Sequence, residues 1–211
     1  MTTAPSLPAT TLAKFCYYGM FSRCTQLTSA PTLPATTLAD YCYSNMFEYC
    51  SSLTTAPELP ATSLAERCYA YMFKSCTSLA TAPALPATTL TYACYGDMFN
   101  GCSSLTTAPE LPATRLTEWC YGSMFNGCSS LTTAPELPAT TLASSCYTNM
   151  FYNCSNLNTI TLGYTGNFSS TYFNSWVKDV AASGTFYYNG SDTTTGTSAI
   201  PTGWTITPFT P

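Results

Sequence analysis

The chain has 211 residues, with six Lys and Arg against ten Asp and Glu, no His and a formal charge of −4. Charged residues are 8% of the total, about a third of the usual share, so Thr, Ser, Asn and Tyr must cover most of the surface. Six scattered bases form no stripe that could neutralise phosphates, so no nucleic acid partner is expected. The lack of His removes the usual proton shuttle and the commonest metal ligand. No run approaches the ~18 apolar residues of a membrane span, so no membrane insertion is expected of this chain, and Met1-Thr-Thr-Ala-Pro carries no export signal.

Self-similarity dominates the sequence. Blocks 1–26, 27–52, 53–78, 79–104, 105–130 and 131–156 align without slippage, each reading L-T-T-A-P-x-L-P-A-T-T-L-x-x-x-C-Y-x-x-M-F-x-x-C-S-S, with Met1 in the place of the first Leu. A coil this short cannot bury its own apolar side, so neighbours must stack and share one core. Each coil opens on an extended segment, as in Leu131-Thr-Thr-Ala-Pro135-Glu-Leu137-Pro138. Proline lacks the ladder donor, so any parallel strand there is held to about three or four residues.

The second half of each coil predicts a helix. At ~100° per residue, Leu142, Cys146, Tyr147, Met150, Phe151 and Cys154 fall within an arc of about 180°, behind an N-cap at Thr140. The opposite arc holds the positions that vary between blocks. After residue 156 the motif fades: Leu157 to Leu162 keeps a strand, and Phe173, Trp176, Val177 and Val180 suggest a helix stopped by Gly184. Thr185–Tyr188 and Trp204–Thr207 read as strands around a polar loop from Asn189 to Ser198. The predicted organisation is six coils over 1–156, then a partial seventh coil and a capping unit over 157–211.

These elements predict an α/β solenoid with a narrow parallel sheet on a concave side, helices on the convex side and a C-terminal α+β cap. Curvature is expected because helices pack 8–10 Å apart and strands ~4.8 Å. No upstream cap precedes the first coil, which points to preceding chain or a partner on that side. Met46-Phe47-Glu-Tyr-Cys50-Ser-Ser-Leu53 and its repeats resemble the BspA-like leucine-rich repeats of bacterial surface proteins. Gly184-Thr-Phe-Tyr and Ala199-Ile-Pro-Thr-Gly-Trp204-Thr-Ile look like the unit that ends such proteins in gut bacteria and their phages. The resemblance implies a right-handed leucine-rich-repeat stack at a cell surface, secreted or on a virion, working in adhesion or recognition of a protein or glycan ligand.

The twelve cysteines invite a disulfide or zinc reading. Within a coil the two are about 12 Å apart on a helix, and between coils 8–10 Å, beyond the ~7 Å reach of a bridge; C-x7-C is not a zinc spacing. Buried free thiols are expected, with no metal and no cofactor. Ser6, Thr32, Glu58, Ala84, Glu110 and Glu136 should form one column on the sheet side, too few oxygens for calcium. On the varying helix face, Phe15, Tyr18, Tyr41, Tyr49, Tyr71, Tyr92, Trp119 and Tyr152 are the partner-binding candidates, because Tyr and Trp offer large rigid area with a polar tip. Solvent-facing drift in duplicated repeats would produce variation too, though not a surplus of aromatics over Lys and Glu. No nucleophile has a base beside it, so no catalytic residue is expected. A non-catalytic recognition scaffold is the leading reading, and a structural spacer its alternative.

Overall fold

The computed structural model of the chain describes residues 2–209, so Met1 in its role as first Leu lies outside the described residues. On the proline-bounded side, isolated parallel bridges join coils: Thr3 to Ser29, Ser29 to Thr55, Thr81 to Thr107 and Thr133 to Thr159, with Thr37 to Ser63, Arg115 to Thr141 and Leu137 to Leu162 further along the segment. Prolines on both flanks supply no donors, which keeps the ladder this narrow. Where the prolines vanish, at Leu157-Asn-Thr-Ile-Thr-Leu162, the ladder widens into β1 (Thr159–Leu162). β2 (Thr185–Tyr188) and β3 (Thr205–Thr207) continue it as a three-stranded parallel sheet in the order β1-β2-β3.

The other half of each coil is not the expected helix. Cys16, Tyr18, Met20, Ser22 and Cys24 donate their N–H to the carbonyl three residues back. Phe15, Tyr17, Gly19, Phe21 and Arg23 instead donate to Asp40, Cys42, Ser44, Met46 and Glu48 of the next coil, at 2.7–3.1 Å. Alternate N–H groups thus close tight turns and bind the neighbour, and no donor in the run is wasted. Backbone φ is positive at every fourth residue, Phe15, Gly19 and Arg23 in the first coil and their equivalents afterwards, as the third position of a type II turn requires.

This corrects the expectation of helices on a convex side. Among the described residues the one α-helix is α1 (Ser170–Phe173), capped by the Ser169 side chain accepting from the Thr171 N–H. The turn segment 171–179 then forms the next rung, accepting from Tyr147, Asn149, Phe151 and Asn153, so the helix expected over Phe173 to Val180 is also mostly turn. A helix satisfies its N–H groups internally and holds neighbours 8–10 Å away, whereas the alternating ladder lets coils approach at strand-like spacing. Without helices there, the mismatch that predicted curvature is gone.

Close approach explains the core. Tyr17, Tyr43, Tyr69, Tyr95, Tyr121 and Tyr147 stack with ring centroids 5.8–6.3 Å apart and planes within 14°. Phe21, Phe47, Phe73, Phe99, Phe125 and Phe151 stack at 5.6–5.8 Å. Each fully buried Phe is worth about 1.5–3 kcal/mol. All twelve cysteines are free, ten of them buried, but the distance argument for that state does not hold at this spacing. The structure supplies another role: Cys50, Cys76, Cys102, Cys128 and Cys154 donate through Sγ to Phe21, Phe47, Phe73, Phe99 and Phe125 carbonyls at 3.0–3.2 Å. Gly184, expected as a helix stop, is instead a place of close approach, since a Cβ there would lie 2.3 Å from the Asn158 carbonyl oxygen.

Candidate functional site

The inward positions of each turn ladder recur every four residues (Cys16, Met20, Cys24), which leaves the left-handed positions between them facing out. Gly, Asn and Asp adopt such φ at least cost, and they occupy several of these places, as at Gly19, Asn45, Asp97 and Asn149. Yet Phe15, Tyr41, Tyr49, Tyr71 and Trp119 also have positive φ, from 57° to 61°. Five of the eight expected partner-binding aromatics therefore stand where the backbone disfavours a bulky side chain.

Phe15, Tyr18 and Tyr49 are 49%, 52% and 36% exposed. Part of the first two values comes from position, because Met20, a core type elsewhere, is 46% exposed in the same coil. Tyr41, Tyr71, Tyr92, Trp119 and Tyr152 are half-buried. Phe15 stacks on Tyr41 at 4.7 Å and meets Tyr18 edge-on at 5.8 Å. Of the six Lys and Arg, five lie over these rings: Lys14 on Phe15 and Tyr41, Arg23 on Tyr49, Arg67 on Tyr41 and Tyr92, Lys74 on Tyr71, and Lys178 on Tyr152. A cation over an aromatic face is worth about 0.5–1 kcal/mol when exposed, so the bases are spent on organising the aromatic face. Tyr49 and Tyr152 stand apart from the Tyr18–Phe15–Tyr41–Arg67–Tyr92 chain.

Tyr71, Tyr92 and Trp119 come together around a hollow of about 300 Å³, with Arg67, Ala70, Ala93, Gly96 and Asp97 completing its lining. The hollow exists because Ala93 is small where neighbouring coils carry Arg67 and Trp119, because Ala70, Gly96 and Gly122 are small at their shared place in the repeat, and because the Trp119 indole folds over Gly122, where a Cβ would lie 2.3 Å from it. Arg67 Nη2 donates to the Tyr92 hydroxyl at 3.2 Å, and its Nε is buried without a partner. Asp97 accepts from Asn100 Nδ2 at 2.7 Å. Burial pushes its carboxyl above the ordinary range, opposed by the Asn100 and Tyr71 hydrogen bonds and the Lys74 charge. Asp97, Gly96, Ala93 and Ala70 were not among the expected site residues; the small residues at adjacent outward positions were the available signal.

On the proline side, the column Ser6, Thr32, Glu58, Ala84, Glu110 and Glu136 is exposed throughout. A groove of about 420 Å³ lies between Pro109–Pro112 and Pro135–Pro138, with Glu110 and Glu136 at its rim. Equivalent grooves recur between Pro57–Pro60 and Pro83–Pro86 and between Pro31–Pro34 and Pro57–Pro60, so the groove belongs to the repeat and not to one place. Among the described residues no three His, Cys, Asp or Glu gather to hold a metal, and no helix is long and apolar enough to cross a membrane.

Stacked coils sharing one interior and an outer face free to vary define a solenoid-like repeat scaffold. The chain belongs to the BspA-type leucine-rich repeat family, whose sequence model, a BspA type leucine rich repeat region of six copies, matches residues 16–132 and 66–181. Proteins of that family are generally surface-associated in bacteria, and leucine-rich repeats are generally non-catalytic scaffolds that mediate protein binding. Comparison with curated proteins and with solved structures gives no match.

Proposed function

We propose that the chain is a non-catalytic surface recognition scaffold, an adhesin or receptor-binding module for a protein or glycan, displayed on a cell or virion or secreted. The turn-ladder face carrying Phe15, Tyr18, Tyr41, Tyr49, Tyr71, Tyr92, Trp119 and Tyr152 is its binding surface, and residues from 157 onward close the stack. One observation carries this reading: five of those aromatics occupy left-handed backbone positions. Holding a bulky residue there costs about 1–2 kcal/mol, and most of the other left-handed places hold the small or short polar residues Gly, Asn, Asp, Ser and Ala. The aromatic side chains are retained against the backbone's preference, as at sites where strain is kept for a function.

The test is a printed array of glycans and extracellular proteins, probed with the intact chain and with a Tyr41→Gly, Tyr49→Gly double variant. Glycine relieves the left-handed strain while losing about 0.5–1 kcal/mol to chain entropy, so the variant should keep its thermal unfolding midpoint within a few degrees. Saturable binding that falls at least tenfold in the variant is expected. Silence of the intact chain across the array would favour the structural spacer instead.

A further inference from the structure

We infer that the hollow over Gly96 is a saccharide subsite, in which one neutral sugar ring lies against Trp119 and hydrogen-bonds between Arg67 and Asp97. This rests on the recognition reading and narrows it to a place and a ligand class. Arg67 and Asp97 line the same hollow without forming an ion pair; among the described residues the one ion pair is Lys14 with Asp40, at 3.4 Å. Two opposite charges that face a common space without meeting leave room for a ligand between them.

The unfilled hydrogen-bonding capacity specifies the ligand. Arg67 lines the hollow, and of the five N–H donors of its guanidinium one goes to the Tyr92 hydroxyl, which leaves others for an acceptor. The Tyr92 hydroxyl accepts from Arg67 and keeps its own proton to donate. Asp97 is acceptor-only when ionised and has about four lone-pair sites, of which the Asn100 bond takes one. The occupant must therefore both accept and donate at neighbouring atoms, as a vicinal diol does.

Charge narrows it further. An anion would be drawn to Arg67 but repelled by Asp97. A cation would suit three aromatic rings and a carboxylate, but Arg67 is part of the wall and Lys74 lies over Tyr71 at 5.1 Å. A neutral polyol meets no such conflict. The volume, about 300 Å³, sits at the lower end of ligand pockets and holds one ring rather than a peptide segment. Tyr71 and Trp119 supply flat faces for the apolar side of that ring.

Trp119 gives the readout, because Trp176 and Trp204 are buried. The intact chain would be titrated with free glucose, galactose, mannose, fucose, N-acetylglucosamine and N-acetylgalactosamine, and with acetate and tetramethylammonium as charged probes. Shielding of Trp119 from acrylamide quenching and saturation transfer to ring protons would be followed. At least one sugar should shield Trp119, and Trp119→Ala should abolish its saturation transfer. Gly96→Leu should weaken binding at least tenfold by filling the hollow. A Cβ at Gly96 meets nothing closer than the Ala93 carbonyl oxygen at 3.4 Å, and φ there is not left-handed, so an unchanged unfolding midpoint should accompany the loss. The inference is overturned if no sugar shields Trp119, if sugar binding survives Gly96→Leu, or if acetate or tetramethylammonium shields better than every sugar. In each of those cases, array binding still lost in the Tyr41→Gly, Tyr49→Gly variant would leave the broader recognition reading intact.

Discussion

The coils from Leu27 to Cys154 and the stretch from Leu157 to Thr207 are joined by the same kind of inter-coil hydrogen bonds, but they fill their interiors differently. In the coils, like rings lie on like rings, with planes 4–14° apart down the Tyr and Phe columns. In the end unit Phe168, Phe173, Trp176, Phe186 and Tyr188 meet at 42–87°. A repeat of 26 residues imposes translation, and translated rings can only be parallel; a sequence that does not repeat is free to use edge-to-face contacts. The end unit is also tied across segments, with Trp176 Nε1 donating to the Ala199 carbonyl at 2.7 Å and Trp204 Nε1 to Ala181 at 2.8 Å. The coils resemble a one-dimensional array, each touching only its neighbours, while the end unit is a small jigsaw.

High pH should separate the two regions, and it is the largest effect expected. Every cysteine lies at or before Cys154. Burial pushes the Cys42, Cys50, Cys94 and Cys146 thiols from an ordinary 9.0 up to about 11. The folded state keeps protons that the unfolded chain releases, so this stabilisation is full below pH 9 and is lost as pH rises toward 11. Each group loses about 1.4 kcal/mol per pH unit; four groups over about two units lose about 10 kcal/mol, comparable with a domain's whole stability. In a Trp119→Phe background, far-UV circular dichroism should report melting of the coils between pH 9 and 11. Fluorescence of Trp176 and Trp204 should change at higher pH. A single coincident transition would show that the two regions are not separable.

A cavity in each region sharpens the same contrast. Phe99→Ala should cost about 3–5 kcal/mol. Trp176→Ala should cost that and about 1–3 kcal/mol more, because the buried Ala199 carbonyl loses its donor. Urea unfolding would measure both; a smaller loss for Trp176→Ala than for Phe99→Ala would remove the distinction between column and jigsaw.

The 26-residue register, the inward columns, the strand Thr185–Tyr188 and, one residue longer than β3, the strand Trp204–Thr207 were legible in the sequence, because each depends on side-chain pattern alone. The helix reading failed for a traceable reason. Cys146, Tyr147, Met150, Phe151 and Cys154 mix steps of three and four as a helix face does, and on a helix a step of four drifts by only about 40°, so a run this short stays on one face. Gly, Asn and Asp at several outward places set four apart, as at Gly101, Gly127, Asn149 and Asn153, were the missed sign of left-handed turns. For the site, the outward aromatics were legible residue by residue. The gathering of Tyr71, Tyr92 and Trp119 around Gly96 was not, since it depends on small Ala70 and Ala93 lining the same hollow.

A single substitution should have opposite signs in the two regions. The hydroxyls of Tyr43, Tyr95, Tyr121 and Tyr147 are buried without a partner, and an unsatisfied buried hydroxyl costs about 1–3 kcal/mol. One rung further on, Phe173 stacks on Tyr147 at 5.6 Å, so the column already accepts a ring without the oxygen. Tyr121→Phe should therefore gain about 1 kcal/mol, raising the unfolding midpoint by about 2–4 °C for a chain of this length. In the end unit the Tyr188 hydroxyl donates to the Gly166 carbonyl at 3.2 Å, and Tyr188→Phe should lose about 1 kcal/mol. Calorimetry on the two variants decides the matter: equal losses would mean that the column hydroxyls have partners, such as internal water, and that the coils are satisfied by the same local fitting as the end unit.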